Sequence, residues 1–137
     1  MKEILDGLID SANAYTEKSV RIIKQGNLTL AEWRLLQNII SGENTQEKLS
    51  AVTKLDTSTL SRQLKRLLAK QMIIKVPIGD DKRQLIYSVT ENGVNVSHSV
   101  SEQLEEQKTA VFNRWTEEET RLLKILINRL DNSINRS

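Results

Sequence analysis

Apolar residues recur at helical spacing along almost the whole chain, with one short interruption. In residues 2–25, Ile4, Leu5, Leu8, Ile9, Ala12, Tyr15, Ser19, Ile22 and Ile23 recur at spacings of three and four and predict a long amphipathic first helix. Gly26-Asn27 ends it with residues that tolerate a left-handed cap. So long a stripe exceeds what a small domain covers with its own core, so part of it is expected to meet another chain. Thr29-Leu-Ala-Glu32 has the spacing of a capping box and opens a helix to about Ile40, with Trp33, Leu36, Ile39 and Ile40 expected inward. After the turn Ser41-Gly-Glu-Asn44, Asn44 or Thr45 caps a short helix through Thr53, with Leu49 and Val52 buried. Asp56 or Thr57 caps the next helix, whose apolar face is Leu60, Leu64, Leu67 and Leu68.

The period then changes. Met72 to Ile74 and Val76 to Ile78 are rich in β-branched residues, Gly79-Asp-Asp-Lys82 is turn chemistry, and Gln84 to Val89 reads as a returning strand. Pro77 cannot donate to a ladder, so the ribbon should be narrow and edge-like, leaning on the helices through Ile73, Leu85 and Tyr87. Thr90-Glu-Asn-Gly93 opens a fifth helix lined by Val94, Val96, Val100, Leu104, Val111, Phe112 and Trp115. A second capping box, Thr116 to Glu119, opens a last helix with Leu122, Leu123, Leu126, Ile127, Leu130 and Ile134 on one face. The pattern is mainly α with one small β-ribbon.

Composition narrows the chemistry. The 137 residues suffice for one domain with a real core. Cysteine is absent, which removes disulfides, thiolate metal sites and thiol redox sensing. No apolar run approaches a membrane span and no signal-peptide pattern opens the chain, so the default compartment is the cytoplasm. His98 is the single histidine, and no P-loop, dinucleotide fingerprint or metal-ligand cluster occurs. The three glutamates at 117–119 complement a helix dipole. As acid/base groups they lack any convergent partner, and an enzyme is not expected.

Charge is informative only through its distribution. Lys54 to Arg83 carries eight cations and three acids, a net +5, although the whole chain is only +2. This basic segment contains the helix whose polar face bears Ser58, Thr59, Ser61, Arg62, Gln63, Lys65 and Arg66. Hydroxyls, an amide and cations on one ridge are what a helix needs to meet base edges and phosphates in a major groove. A short helix, a turn and a second helix of this kind form a helix-turn-helix, and the ribbon tip with Lys82 and Arg83 adds a second basic point beside it.

These residues resemble the MarR family of bacterial winged helix-turn-helix regulators. The family's Asp-x-Ser-Thr-apolar-Thr/Ser-Arg is met by Asp56-Thr-Ser58-Thr59-Leu-Ser61-Arg62. Its wing signature, Asp-x-Arg and then Leu-Thr-x-x-Gly, is met by Asp81-Lys-Arg83 and Val89-Thr90-Glu-Asn-Gly93, with Val89 in place of leucine. Gln71-Met72 departs from the family's usual glycine after the recognition helix, which implies a different helix end or mild strain.

The resemblance implies a winged helix-turn-helix with six helices and a two- to three-stranded antiparallel wing, forming an intertwined homodimer through its N- and C-terminal helices. Residues 1–137 would be one MarR-like chain, with 29–90 as the DNA-binding lobe and 1–26 and 91–137 as dimerisation helices. Ser58, Thr59, Ser61 and Arg62 would face the major groove of double-stranded DNA, and Arg83, aimed by Asp81, the adjacent minor groove. Lys65, Arg66 and Lys82 would contact phosphates. The function implied is that of a ligand-responsive repressor on a pseudo-palindromic operator, with no cofactor and no metal. Tyr15, Trp33 and His98 lie in helices that line the small-molecule effector site in relatives; the plain alternative for each is core packing or solvation. The rival function is a winged-helix protein-interaction module without operator-specific DNA binding.

Overall fold

The computed structural model describes residues 1–137. Six helices and one hairpin follow in the order α1 (Ile4–Gln25), α2 (Leu30–Ile40), α3 (Gln46–Thr53), α4 (Thr57–Ala69), β1 (Ile73–Ile78), β2 (Gln84–Val89), α5 (Glu91–Val111) and α6 (Glu117–Arg136). The chain divides into two compact units, Met1–Leu104 and Glu105–Ser137.

The helices α2, α3 and α4 each start where side chains can satisfy free amides. Thr29 and Glu32 form the reciprocal capping box, Thr45 caps α3 through the Lys48 amide, and Asp56 caps α4 through the Thr59 amide. The core they enclose contains Ile23 of α1, Leu35, Leu36 and Ile39 of α2, Leu49 of α3, Leu60, Leu64 and Leu67 of α4, and Val100 of α5. Ile73 and Tyr87 bring the ribbon onto it.

The sheet has two antiparallel strands with Ile73 opposite Val89 and Ile78 opposite Gln84. A third strand is reduced to one hydrogen bond, from the Tyr87 amide to the Asn44 carbonyl at 2.7 Å. Pro77 sits opposite Leu85 near the tip. Leu85 is exposed rather than packed inward. Ile40, at the last position of α2, and Val52, near the end of α3, are exposed too, as are Val94 and Val111 on α5. Helical spacing found the right stripes, but several residues near the stripe ends stay exposed.

The end of α4 is the most constrained junction in this unit. Gln71 takes a left-handed conformation (φ 58°), with its amide bonded to the Leu68 carbonyl and the Met72 amide to the Leu67 carbonyl. This is a Schellman ending, closed by burial of both Leu67 and Met72. A side chain in that conformation costs about 1–2 kcal/mol, so the missing glycine is tolerated as strain. Neighbours hold the strained turn: the Thr90 hydroxyl donates to the Gln71 carbonyl at 2.7 Å, and the Thr90 amide donates to the Met72 carbonyl at 3.0 Å. Gly93 follows directly. A Cβ there would lie 2.2 Å from the Met72 carbonyl oxygen, so only glycine lets α5 start this close to the turn.

Lys70 looks like part of the basic surface in the sequence, yet it turns inward. Its Nζ donates to the Glu32 carboxylate and to the Asn27 carbonyl, both at 2.7 Å. Glu32 is 1 % exposed. Burial pushes its carboxyl up, but the bonds from Lys70 and Thr29 together outweigh that and hold it below the usual carboxylate range.

In the second unit, Phe112 and Trp115 meet edge to face at 5.3 Å in the turn that ends α5. Thr116 and Glu119 form the second capping box, opening α6. No residue of α6 is buried, and Leu122, Ile125, Leu126 and Ile134 are all about half exposed or more.

Two outcomes are expected in denaturant titrations. Lys70→Met leaves a buried carboxylate unpaired and should destabilise the fold by about 3 kcal/mol, the low end for breaking a buried pair. Because the Glu32 value is depressed on folding, its contribution is complete above the unfolded value of about 4.3 and is lost as pH falls through the folded one. The gap between wild type and Lys70→Met should accordingly narrow in acid. Gly93→Ala should cost about 1–3 kcal/mol by overpacking.

Candidate nucleic-acid interface

The exposed face of α4 is built by its leucines. With Leu60, Leu64 and Leu67 in the core, Ser58, Ser61, Arg62, Lys65 and Arg66 share one shallow depression, together with Ala69. Three cations and two hydroxyls thus converge on a single ridge. Gln63 leaves this set: it lines a different cavity, beside Trp33, and its side-chain carbonyl is buried. Thr59 is half-buried and lies outside the depression, where its hydroxyl accepts from Arg62 at 3.5 Å.

The hydroxyls on the ridge are already engaged. Ser58 Oγ donates to Asp56 Oδ1 at 2.9 Å, and the same carboxylate oxygen accepts the Thr59 amide at 2.7 Å. The Thr59 amide bond, then the Ser58 hydroxyl and the Arg62 charge, hold the Asp56 carboxyl below its ordinary value. Ser61 Oγ accepts from Gln46 Nε2 at 2.8 Å, a bond from the first turn of α3 to α4. Nothing in the spacing of the chain pointed to Gln46, because that contact exists only once α3 and α4 are packed.

The ribbon tip forms the second group. Gly79 (φ 89°) and Lys82 (φ 55°) adopt left-handed conformations, and the Lys82 amide closes the turn onto the Gly79 carbonyl at 3.2 Å. Asp81 accepts the Arg83 amide at 3.2 Å through Oδ1 and faces the Arg83 guanidinium at 3.5 Å through Oδ2. Arg83 is 86 % exposed in its side chain. Such a pair contributes about 0–1 kcal/mol to stability. Its effect is to restrict the direction of a long side chain standing free in solvent.

The three residues considered for an effector are not brought together. Trp33 lines a cavity of about 490 Å³ with Leu35, Val52, Leu55 and Gln63, and neither Tyr15 nor His98 is part of it. Tyr15 is exposed on α1, and His98 is exposed on α5 beside Glu102 at 3.3 Å. No group of three or more histidine or acidic side chains could hold a metal ion, and no helix is long and apolar enough to cross a membrane.

Comparison with known proteins bears on this geometry. Residues 27–84, the segment holding α2 to the start of β2, match the sequence model of the MarR family. An uncharacterized HTH-type transcriptional regulator of Bacillus subtilis, YxaD, is 27 % identical over 109 residues, which span 79 % of this chain and 76 % of that protein. A mutant of S. aureus MepR matches with a TM-score of 0.88 at 16 % identity, over 97 % of this chain and 99 % of that one. The reduced form of E. coli MarR matches with a TM-score of 0.70 at 26 % identity, over 95 % and 98 %. Residues 27–84 thus carry the sequence pattern of the MarR family of transcriptional regulators, and the solved folds agree with the helix-turn-helix and ribbon described above.

Proposed function

We propose that the protein is a homodimeric repressor that binds a pseudo-palindromic operator in double-stranded DNA and is released by a small-molecule effector. The observation that carries this reading is the convergence of Ser58, Ser61, Arg62, Lys65 and Arg66 on the exposed ridge of α4, with Arg83 extended at the ribbon tip. Another MepR mutant of the same fold, at a TM-score of 0.74 and 17 % identity, was solved bound to an oligodeoxyribonucleotide. In this reading residues 29–90 form the DNA-binding lobe. Ser58, Thr59, Ser61 and Arg62 read the major groove, with Thr59 acting through Arg62. Arg83, aimed by Asp81, enters the minor groove, where narrow segments concentrate negative potential. Lys65, Arg66 and Lys82 neutralise phosphates.

Residues 1–26 and 91–137 supply the dimer. α6 buries nothing within its own unit, and Ile4, Leu5, Ile9 and Tyr15 of α1 are exposed. A solitary amphipathic helix is marginal in water, so these faces are best satisfied by a second copy. A two-fold dimer places two recognition helices about one DNA turn apart or a multiple of it, which gives the operator its symmetry. An S. aureus MarR protein of similar fold, at a TM-score of 0.79 and 18 % identity, was solved with salicylate and kanamycin. An effector here would need different affinities for the DNA-competent and incompetent spacings, since equal affinity shifts nothing. The cavity beside Trp33 is one place it could act; Tyr15 and His98 are the weaker candidates.

Binding measured by fluorescence anisotropy on duplexes selected from a random pool tests the reading. Recovery of a two-fold motif supports it, whereas a shallow salt dependence and no motif would favour the protein-interaction alternative. Arg83→Ala should weaken operator binding at least about tenfold, a loss of about 1.4 kcal/mol, without altering the folded dimer. Lys82→Ala should weaken all duplexes alike and lower the salt slope by about one. For the dimer, Leu122→Arg combined with Leu126→Arg should yield a monomer in sedimentation equilibrium that no longer protects both half-sites.

A further inference from the structure

The partners of the two serines on α4 determine what each hydroxyl can still offer. Ser58 has one hydroxyl proton, and it is committed to Asp56 Oδ1 at 2.9 Å. What remains on that oxygen is its lone pairs. Releasing the proton to a base would exchange a bond to an ionised carboxylate for a weaker one to a neutral acceptor. Asp56 is itself fixed, because its Oδ1 also caps the helix through the Thr59 amide. Ser61 is placed the other way round. Gln46 Nε2 fills one of its lone pairs at 2.8 Å, and an oxygen that accepts a hydrogen bond becomes a better donor. Its proton is left free to turn outward into the depression on α4 that both serines line.

We infer that Asp56 and Gln46 are positioning residues that assign opposite polarity to the two recognition hydroxyls, making Ser58 a pure acceptor and Ser61 a donor toward DNA. This rests on the DNA-binding reading given above and goes beyond it by specifying base chemistry. In the major groove the only donors are the exocyclic amines of adenine and cytosine, and the acceptors are guanine O6 and N7, adenine N7 and thymine O4. Ser58 therefore selects an adenine or cytosine amine. Ser61 selects an acceptor, which a phosphate oxygen also satisfies. A free serine would accept either arrangement, so the discrimination belongs to the neighbours and not to the serines.

Selection from random duplexes, run in parallel on wild type, Ser58→Ala, Asp56→Asn, Asp56→Gly and Gln46→Met, separates the possibilities. Circular dichroism first establishes that each variant is folded. The wild type should prefer adenine or cytosine at one symmetric position in each half-site, and Ser58→Ala should flatten that position alone. Asp56→Asn retains an oxygen that can both cap the helix and take the Ser58 proton, so it should keep the wild-type preference. Asp56→Gly remains an acceptable N-cap residue but offers no side-chain oxygen to that proton, so guanine and thymine should become acceptable at the same position. Gln46→Met should relax the position read by Ser61 and leave the Ser58 position intact.

A chemical probe gives a second readout. Replacing the preferred adenine by purine, or the preferred cytosine by a pyrimidine lacking the amine, should weaken wild-type binding about fivefold to tenfold, the loss of one base-edge contact, and leave Ser58→Ala unaffected. A wild-type preference for guanine or thymine at the Ser58 position would overturn the inference while the operator reading stands. An Asp56→Gly profile identical to the wild type would do the same. Failure of the folded wild type to select any motif would overturn both.

Discussion

The ion pair between Glu32 and Lys70 is the constraint on which the orientation of α4 depends. Glu32 is fully enclosed, and its carboxylate is acceptable there because Lys70 and the Thr29 amide donate to it. Lys70 is the last residue before the strained turn at Gln71, and the same ammonium also reaches the Asn27 carbonyl. One buried pair thus ties the end of α1, the start of α2 and the end of α4. Replacing it by apolar residues of similar shape need not lower stability, since buried pairs are weak contributors in net terms. What such a replacement would lose is direction: the bonds at Lys70 and Glu32 define where α4 ends, and α4 carries the basic ridge.

The far side of the same turn is held by α5. Thr90 and Asn92 donate to the carbonyls of Lys70 and Gln71, and Gly93 allows the backbones to meet. The β1 strand leaves from this junction at Ile73, so the direction of the ribbon and of α4 are fixed by one set of bonds. The opposite end of α4 is different. Asp56 is exposed to solvent, and the bonds from Ser58 and the Thr59 amide to its carboxylate are local to the first helical turn. The helix is therefore anchored rigidly at its C-terminal end, while its reading end is organised by its own side chains and by Gln46.

Much of this was legible in the sequence, and the reasons it was or was not are physical. Capping residues act over three positions, so Thr29 with Glu32 and Thr116 with Glu119 could be placed from spacing alone, while Asp56 was one of two candidates with Thr57. The switch from helical to strand patterning located the hairpin, and turn chemistry located its tip at Gly79 to Lys82. The candidate residues on α4 were legible because three leucines fix which face is inward; Gln63 fell at the margin of that face and turns instead into the cavity beside Trp33. Tertiary contacts were not legible. Lys70 counted as a surface cation until Glu32 was seen opposite it, and Gln46 carried no signal at all. Ile40, Val52 and Leu85 have the spacing of core residues but are exposed. Periodicity reports a face, whereas burial depends on what another segment brings to it.

The division of labour between charge and hydroxyls follows from the same geometry. In the proposed reading Arg62, Lys65, Arg66 and Lys82 would act through long flexible side chains, and attraction of that kind to phosphates is largely indifferent to sequence. Arg83 differs from these, since Asp81 narrows the directions its guanidinium can take. The serines reach only a short distance from the helix backbone, so their influence depends on the placement of α4 to within a fraction of a hydrogen-bond length. That placement comes from the Lys70 and Gln71 junction, at the opposite end of the helix from its reading turn. An effector that shifts one lobe relative to its copy would therefore carry α4 as a rigid body. It would move the ridge out of register with the duplex while leaving the order of donors and acceptors on it unchanged. Release from DNA and choice of sequence would then be separable properties of one helix, the first set at its anchored end and the second at its capped end.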